Sequence, residues 1–459
     1  MTAQSHDTGQ PQDTGQPHDT GQPGKLDERS IRKIAGLSLV GASVEWFDFF
    51  LFGTAAALVF PRLFFPDGTD PVLALLSSFA VLGVGFLARP LGGVVWGHFG
   101  DKLGRKKAFL TALMTMAVAS VLIGLLPTYA AIGVAAPILL TVLRFTQGLA
   151  VGGQWGGAVL LATEFAPKNK RGFYGSFAQI GVPIGVLLGV VAFFILGQTM
   201  DDAAFDSYGW RIPFIASVLL VGVAIYAKNK LEDTPAFVQL QKLAAENPNA
   251  VPQPSPIIEV LRDHWLRILL AGGAFTVVNT TFYIYITFLL SYGTTTVGVS
   301  AGTVLVAIAV SSVIMIPALA GWAALSDRIG RRKLYIAGSV ITGLWAFPLF
   351  WLVDMGTALS MTIALTVAQV ALSMMYGPLA AFFSEMFTAK LRYSGASLGY
   401  QLGALLGGAI APLLSVYLLD ATGGTTAISI YIIVVAAIAV GCVLALTETY
   451  QNDMDEVSS

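Results

Sequence analysis

Long uninterrupted runs of apolar residues recur along the chain from Ile34 onward. Each run is about 20 residues long, the length that an α-helix needs to cross the hydrocarbon core of a bilayer. Strands of a membrane barrel would instead alternate polar and apolar positions over about ten residues. The pattern therefore predicts twelve membrane-spanning helices, near 34–58, 72–96, 107–126, 137–163, 174–197, 210–228, 266–291, 301–325, 334–353, 358–384, 395–418 and 426–447.

Polar segments flank and divide these twelve spans. Residues 1–30 include three copies of a hexapeptide ending in DTGQP, a Gly- and Pro-rich composition that is typical of disordered tails. Residues 229–265 form a long connection after the sixth span, and residues 449–459 form a short tail. The predicted organisation is an all-α membrane protein with one six-helix bundle at 31–228 and a second at 266–448.

The composition excludes several classes of protein. Charged residues make up 12% of the chain and hydrophobic residues 55%, whereas soluble domains carry about 25% charged residues. A net charge of −1 argues against nucleic-acid binding. A single cysteine, Cys442, excludes a disulfide framework, and the sequence has neither a phosphate-binding loop nor a His-Glu metal motif. We therefore expect no enzyme activity, no cofactor and no metal site.

The basic residues predict the orientation of the helices. Of the 26 Lys and Arg, 22 fall in the N-terminal tail or in the even-numbered connections between spans. Only Arg62 and Arg211 fall in the odd-numbered connections. Because basic loops remain on the cytoplasmic side, both termini are predicted to be cytoplasmic.

The two halves of the chain carry the same motif. The sequence GHFGDKLGRKK at 97–107 follows the second span, and AALSDRIGRRK at 323–333 follows the eighth. An acidic and a basic residue seven apart recur in both halves, as Glu164 with Arg171 and Glu385 with Arg392. Such a repeat indicates two bundles of the same orientation, related by an axis along the membrane normal.

This repeated loop, G-x-x-x-D-x-x-G-R-K/R-K, resembles the loop 2–3 signature of the major facilitator superfamily, although Ala323 replaces the first glycine in the second copy. Its aspartate can accept backbone N–H groups at a helix N-terminus of the opposite half. We expect a conformational gate on the cytoplasmic side, formed by Gly97, Asp101, Gly104, Arg105, Glu164, Arg171, Asp327, Gly330, Arg331, Glu385 and Arg392.

A finer resemblance is to the metabolite:proton symporter family, which transports shikimate, α-ketoglutarate, citrate, and proline or betaine. The segments that carry it are EWFDF at 45–49, RPLGG at 89–93, RFTQG at 144–148, VGGQWGGA at 151–158 and EDTPAF at 232–237. The similarity covers nearly all of 30–448 and implies the major facilitator fold and proton coupling. Gln154 departs from the family, which usually has Glu at that position.

Four charged residues lie inside predicted spans: Glu45, Asp48, Arg89 and Arg144. A charged side chain near the bilayer centre costs roughly 2.5–3.5 kcal/mol, so each should have a partner or a function. Glu45 and Asp48 are three residues apart and share one face of the first helix. Depths calculated from the helical rise favour pairing Asp48 with Arg144 and Glu45 with Arg89.

A buried carboxyl group beside an arginine can carry a proton through the membrane. Burial favours its protonated form and a neighbouring Arg⁺ favours its ionised form, so a helix movement that changes either factor binds or releases a proton. We predict that Asp48 is the main coupling carboxylate, with Glu45 second and Arg144 as the cationic partner. The alternative is a fixed structural ion pair.

The same charges suggest an anionic substrate. The four intramembrane charges sum to zero, and protonation of one carboxylate leaves a net positive centre. Arginine binds carboxylates through two parallel hydrogen bonds, so Arg89 is the predicted substrate ligand. Other polar residues expected to contact the substrate are Gln147, Gln154, Trp155, Gln179, Asn279, Tyr283, Tyr376 and Gln401. For each of these the alternative is an interhelical hydrogen bond.

The sequence thus predicts a proton-coupled symporter that imports a small organic acid by alternating access. It should act as a monomer in the plasma (inner) membrane, with the substrate, the proton and the bilayer as its partners. A proline- or betaine-type zwitterion is the alternative substrate. A non-transporting receptor would need a signalling domain, which the short tail 449–459 does not offer.

Overall fold

Twelve long helices account for the twelve predicted spans in the computed structural model, which describes residues 28–103, 105–152, 159, 162–164, 166–229, 256–388 and 391–450. They are α1 Glu28–Leu58, α2 Pro71–Leu103, α3 Arg105–Leu125, α4 Ala135–Val151, α5 Arg171–Thr199, α6 Arg211–Asn229, α7 Trp265–Thr295, α8 Ala301–Ile329, α9 Arg331–Asp354, α10 Ala358–Glu385, α11 Arg392–Thr422 and α12 Thr426–Ala445. All regular structure in the described residues is helical, so the predicted all-α membrane fold is confirmed.

Most of these helices meet the physical requirement for crossing a membrane. Nine helices in the described part of the chain are long and apolar enough to span a bilayer. Leu110–Leu125 in α3 and Ala135–Val151 in α4 are shorter apolar helices. Many Leu, Ile and Val side chains are exposed on the surfaces of the long helices. The bundle therefore requires an apolar surrounding rather than water.

Short elements connect or interrupt the long helices. The connecting ones are Phe60–Leu63, Tyr129–Ile132, the 3₁₀ turn Lys168–Lys170, Asp202–Ala204 with the π turn Phe205–Gly209, and Pro256–Asp263. Two further π turns interrupt α7 at Ile284–Phe288 and α11 at Leu405–Ala409. The first packs against α1 and the second against α2. A widened turn therefore lies where each of these C-terminal helices meets the N-terminal half.

The two halves have the same packing pattern. In the first half α1 packs on α5, α2 on α4 and α3 on α6; in the second half α7 packs on α11, α8 on α10 and α9 on α12. Each pair in the second half is the first-half pair advanced by six helices, as the repeated motif predicts. The halves contact each other mainly where α5 meets α8 and α10, and where α2 meets α11.

Glycines allow the helices that carry the intramembrane charges to come close together. A Cβ atom at Gly148 of α4 would collide with the carbonyl oxygen of Gly85, and one at Gly152 with that of Arg89. A Cβ at Gly185 of α5 would lie 2.7 Å from the backbone nitrogen of Phe47 in α1. These contacts involve backbone atoms, so a larger residue would displace a whole helix.

Gly185→Ala should destabilise the protein because the added methyl group meets the backbone of α1. We expect the free energy of unfolding to fall by about 1–3 kcal/mol, measured by thermal unfolding in detergent with tryptophan fluorescence. The matched control is Gly321→Ala in α8, where a Cβ would have nothing within 4 Å. That control should be neutral or slightly stabilising. Equal melting temperatures for the two variants would contradict the packing described.

Candidate functional site

One face of α1 carries the acidic residues and the aromatic rings of the site. Glu45, Asp48, Phe49 and Phe52 are spaced by three, four and seven residues, so they point in one direction. All four side chains are buried. The expectation that Glu45 and Asp48 share a buried helix face is confirmed.

Phe49 lies between the two buried arginines. The guanidinium carbon of Arg89 in α2 is 4.2 Å from the centroid of its ring, and that of Arg144 in α4 is 4.0 Å away. Arg144 also lies 4.2 Å from the ring of Phe52, and Arg89 lies 4.7 Å from that of Phe86. Neither arginine is more than 1% exposed. Aromatic faces therefore contribute to the electrostatic stabilisation of both cations.

A continuous hydrogen-bonded chain connects Arg144 to Asp48. The Nη1 group of Arg144 donates to Oε1 of Gln147 at 3.0 Å. The amide nitrogen of Gln147 donates to the hydroxyl of Ser120 at 2.7 Å, and that hydroxyl donates to Oδ2 of Asp48 at 2.9 Å. Asp48, Gln147 and Ser120 are each no more than 2% exposed. The chain thus joins a buried cation to a buried carboxylate through two neutral side chains.

The direct ion pairs expected from helix depth are absent, which corrects the pairing inferred from the sequence. Neither Asp48 with Arg144 nor Glu45 with Arg89 comes within the 4.0 Å that defines an ion pair. The Phe49 ring occupies the surface of both guanidinium groups, and Gln147 and Ser120 fill the space between Arg144 and Asp48. Helix rise sets the depth of a residue, but rotation about the axis decides which group it faces.

Three of the predicted substrate residues line one small cavity between the halves. Its volume is about 20 Å³, and it contains Asn279, Tyr283 and Tyr376, together with Trp46 and Tyr400. This is room for about one water molecule. Within the described part of the chain, the amide nitrogen of Asn279 and the hydroxyl of Tyr283 have no hydrogen-bond partner. Two polar groups in this region are thus available to a ligand if the cavity expands.

Two other predicted substrate residues bond across the interface of the halves. The Gln179 amide of α5 donates to the carbonyl of Tyr376 at 3.4 Å. The Gln401 amide of α11 donates to the carbonyl of Gly152 at 3.3 Å. In this conformation both take part in interhelical hydrogen bonds, the alternative considered from the sequence. Gln154 and Trp155 lie outside the described residues.

A large vestibule opens at one end of the bundle. Its volume is about 1010 Å³, and its lining includes the exposed residues Asp67, Asp202 and Asp420 as well as the buried Phe288 and Ser291. It therefore reaches from the solvent into the interface between the halves. It contains none of the residues predicted to bind the substrate.

The opposite end, which we call the basic end because the RIGRRK turn of 328–333 lies there, is closed by a buried ionic cluster. Nη1 of Arg331 is 2.7 Å from Oδ1 of Asp327, and Nη2 is 3.1 Å from Oε1 of Glu385. The Arg331 side chain is fully buried. One guanidinium group thus neutralises two carboxylates, and Gly330 adopts a φ of 102° to turn the chain between α8 and α9.

Charged groups of this cluster join the two halves. Asp327 accepts hydrogen bonds from the backbone nitrogens of Gly172 at 2.8 Å and Phe173 at 2.9 Å, at the start of α5. The expected contact of this aspartate with a helix N-terminus of the opposite half is therefore present. Arg392 pairs with Glu164 of the opposite half at 3.3 Å. That these contacts form a gate stays a prediction.

The remaining predicted gate residues are Arg171 and those of the first motif copy. Arg171 is partly buried and its charge acts on Glu385 of the opposite half. The side chains of the first motif copy, namely Gly97, Asp101, Gly104 and Arg105, lie outside the described residues.

Sequence reasoning missed three groups that the structure brings into these sites. Ser120 is one of three hydroxyl residues in a largely apolar third span, with Thr111 and Thr115, and only the fold places it beside Asp48. Glu448 accepts hydrogen bonds from the backbone nitrogens of Arg331 and Arg332, and Thr449 donates to Glu385 at 2.8 Å. The segment after α12 thus contributes to the basic-end cluster, which no local pattern in the sequence indicates.

Sequence comparisons match this chain to transporters. A family model described as "Sugar (and other) transporter" matches residues 35–459. The chain is 39% identical over 436 residues to the shikimate transporter of Escherichia coli K12, covering 94% of this chain and 96% of that protein. It is 31% identical over 430 residues to the proline/betaine transporter of the same organism, covering 92% and 85%.

Comparison of structure supports the same fold. The proton:xylose symporter XylE bound to 6-bromo-6-deoxy-D-glucose superposes with a TM-score of 0.72, covering 94% of this chain and 99% of that chain at 16% identity. A partially occluded inward open form of XylE from E. coli gives a TM-score of 0.69, covering 92% and 99%. The described helices therefore have the arrangement of a known twelve-helix transporter fold.

Arg331→Gln should strongly destabilise the basic end, because it leaves Asp327 and Glu385 buried without their cation. We expect the free energy of unfolding to fall by about 3–5 kcal/mol, measured by thermal unfolding. Arg328→Gln, on the exposed side of the same turn, is the control and should have little effect. The double variant R331Q/E385Q should recover part of the loss; no recovery would contradict a charge-based explanation.

Proposed function

The chain belongs to the Sugar (and other) transporter family of the major facilitator superfamily, and from this premise we propose that it is a proton-coupled symporter of a small organic anion. Its relatives are membrane transporters and not enzymes. We place it in the plasma (inner) membrane as a monomer. Following the distribution of basic residues, both termini and the basic end face the cytoplasm.

The observation that carries the proton coupling is the buried Asp48 carboxyl with its hydrogen-bonded connection to Arg144. Asp48 is 2% exposed, and hydrogen bonds through Gln147 and Ser120, rather than a direct contact, connect it to Arg144. A carboxylate without an adjacent counter-ion is costly to keep ionised in an apolar bundle. A change in its distance from Arg144 or from water would therefore bind or release a proton.

The arrangement of the two ends supports alternating access. The vestibule of about 1010 Å³ is open to solvent, while the Arg331 cluster closes the basic end. In this conformation a solute and a proton would enter from the vestibule, that is, from outside the cell. Opening of the basic end would require the Asp327 contacts with α5 and the Arg392–Glu164 pair to break.

The surroundings of Arg89 support an anionic substrate. Its Nε and Nη2 atoms have no hydrogen-bond partner among the described residues, although the side chain is buried. Its guanidinium carbon is 5.3 Å from the ring of Trp46, which lines the small cavity. A substrate carboxylate would satisfy those donors once the cavity widens. Shikimate, the substrate named for one relative, is an anion of this type.

A zwitterionic osmolyte is the second candidate, because the cavity is also rich in aromatic rings. Trp46, Phe50, Phe275 and Tyr283 line it, and aromatic faces bind quaternary ammonium groups. Proline and betaine are named for another relative. The two candidates differ in whether the bound solute carries a net charge.

The proposal is tested with purified protein in proteoliposomes. Radiolabelled shikimate and glycine betaine are the two probes, each supplied with an inward proton gradient, with no gradient, and with a sodium gradient alone. We expect shikimate to accumulate only with the proton gradient. Accumulation of betaine alone would favour the second candidate. Uptake of either probe that is equal in all three conditions would refute proton coupling.

Asp48→Asn should abolish accumulation driven by the proton gradient, because an amide cannot carry a proton. Exchange of labelled for unlabelled substrate at equal pH should persist, since exchange requires no net proton transfer. Asp420→Asn in the exposed vestibule is the control and should accumulate substrate normally. Normal accumulation by the Asp48 variant would show that Glu45 or another residue carries the coupled proton.

Arg89→Gln should weaken anion binding more than Arg89→Lys, because Lys keeps the positive charge. Loss of a charged hydrogen-bond donor costs about 1.5–3 kcal/mol, so the KM for the anion should rise about 10- to 100-fold in the Gln variant. The measurement is the initial rate of uptake against substrate concentration. An unchanged KM would exclude Arg89 as a substrate ligand.

A further inference from the structure

The hydroxyl of Ser120 has more hydrogen-bond partners than it has protons. It lies 2.9 Å from Oδ2 of Asp48 and 3.0 Å from the backbone carbonyl of Met116, and it could donate to either. It also lies 2.7 Å from the amide nitrogen of Gln147. A hydroxyl group has one donor and two acceptor sites. It can therefore satisfy only one of the two oxygens at a time.

Arg144 determines the direction in which this network runs. The guanidinium group can only donate, so its contact at 3.0 Å identifies the Gln147 atom as the amide oxygen. The other end of the amide is therefore the NH₂ group, and Ser120 must accept from it. With one acceptor site occupied, the single proton of Ser120 is left to point at Asp48 or at Met116.

We propose that Ser120 is a positioning residue whose hydroxyl proton reverses direction with the protonation of Asp48, and that Gln147 holds it in place. When Asp48 is ionised, Ser120 donates to the carboxylate. When Asp48 carries a proton on Oδ2, that proton is donated to the free acceptor site of Ser120, and Ser120 donates to the Met116 carbonyl. Within this network no proton moves from one heavy atom to another. The change requires only rotation of the Ser120 hydroxyl.

In both protonation states Oδ2 of Asp48 thereby has a hydrogen-bond partner in a buried site. Ser120 and Gln147 are no more than 2% exposed, and an unsatisfied polar group in such a place is costly. A residue that donates only, such as lysine, would stabilise one state alone. The hydroxyl instead lets Asp48 gain and lose a proton without leaving either form without a partner at Oδ2.

Other charged and polar groups surround Asp48 and influence both its ionised and its protonated form. Arg144 of α4 acts on the carboxylate directly through space, and Arg89 and Tyr283 act on Arg144. Glu45 lies one helical turn away on α1. From α6, Ser217 faces the same carboxylate and donates to the Phe214 carbonyl. Ser120 is distinguished from these by its bonds to both Asp48 and the Gln147–Arg144 pair.

The test measures the protonation of Asp48 without any transport substrate, because the inference rests on the proposed coupling function but must be separable from it. The full chain in lipid nanodiscs is titrated with pH and followed by infrared difference spectroscopy. The C=O band of the protonated Asp48 carboxyl is assigned by its loss in Asp48→Asn. The readouts are the midpoint of the titration and the frequency of the band.

Ser120→Ala should raise the midpoint by about one pH unit, because the ionised form loses a charge-assisted hydrogen bond and the protonated form a weaker one. The band should also move to higher frequency, since the carboxyl proton loses its acceptor. Ser120→Thr keeps the hydroxyl and should restore both values. The control is Ser312→Ala, which removes a buried hydroxyl bonded to its own helix at Ile308 and should change neither.

Gln147→Leu provides a second variant should Ser120→Ala fail to fold. It removes the link to Arg144, and the midpoint should move in the same direction but by less. The double variant should shift no further than Ser120→Ala alone, because the two residues act as one chain. An unchanged midpoint in either single variant would overturn the inference, even if the wild type proves to be proton-coupled. Proton-independent uptake by the wild type would overturn the coupling instead.

Discussion

Two arginines and two carboxyl groups must be kept inside an apolar helical bundle, and much of the structure serves that requirement. Each of these charges would cost several kcal/mol in hydrocarbon without compensation. Compensation comes from the Phe49 ring between both guanidinium groups and from the chain through Gln147 and Ser120. Both require α1, α2, α3 and α4 to approach closely; Gly148 and Gly152 permit the contact of α4 with α2, and Gly185 permits that of α5 with α1. The close helix contacts at these glycines are thus a condition for burying the charges.

The charged contacts that join the halves are concentrated at the basic end. There Asp327 accepts from the N-terminus of α5 and Arg392 reaches Glu164, while Arg331 neutralises two carboxylates within the second half. At the other end the halves separate around a vestibule of about 1010 Å³. Between them lies a cavity of about 20 Å³, too small for an organic anion. The described residues thus leave a large opening at one end and little free volume at the centre.

The position of Asp48 connects these two features. It lies on α1, which packs against α5, the helix whose N-terminus Asp327 caps. Breaking of the basic-end contacts would free α5 to move, and with it the helix that carries the carboxyl group. The hydrogen-bonded chain to Arg144 would then change in length. Proton binding and opening of the basic end can therefore influence each other through one pair of packed helices.

Local patterns in the sequence were sufficient for the helices, the repeat of two halves and the identity of the buried charges. Helix length and apolar continuity depend on neighbouring residues only, so the twelve helices lie at the predicted positions, although the fourth, predicted over 137–163, is described as a helix over Ala135–Val151. The shared face of Glu45 and Asp48 follows from a spacing of three residues. The Asp327 contact could be anticipated because a motif with the same spacing occurs twice.

Tertiary structure alone decided which groups meet. The direct pairs expected for Asp48 and Glu45 were wrong because each helix's rotation is set by side-chain and glycine contacts with several others, which a single sequence does not encode locally. The same holds for Ser120, whose hydroxyl reaches Asp48 across 72 positions of sequence, and for Thr449, which reaches Glu385 across 64. Sequence determined that four charges lie in the membrane; three-dimensional packing determined that one aromatic ring meets both arginines and that two neutral side chains link Arg144 to Asp48.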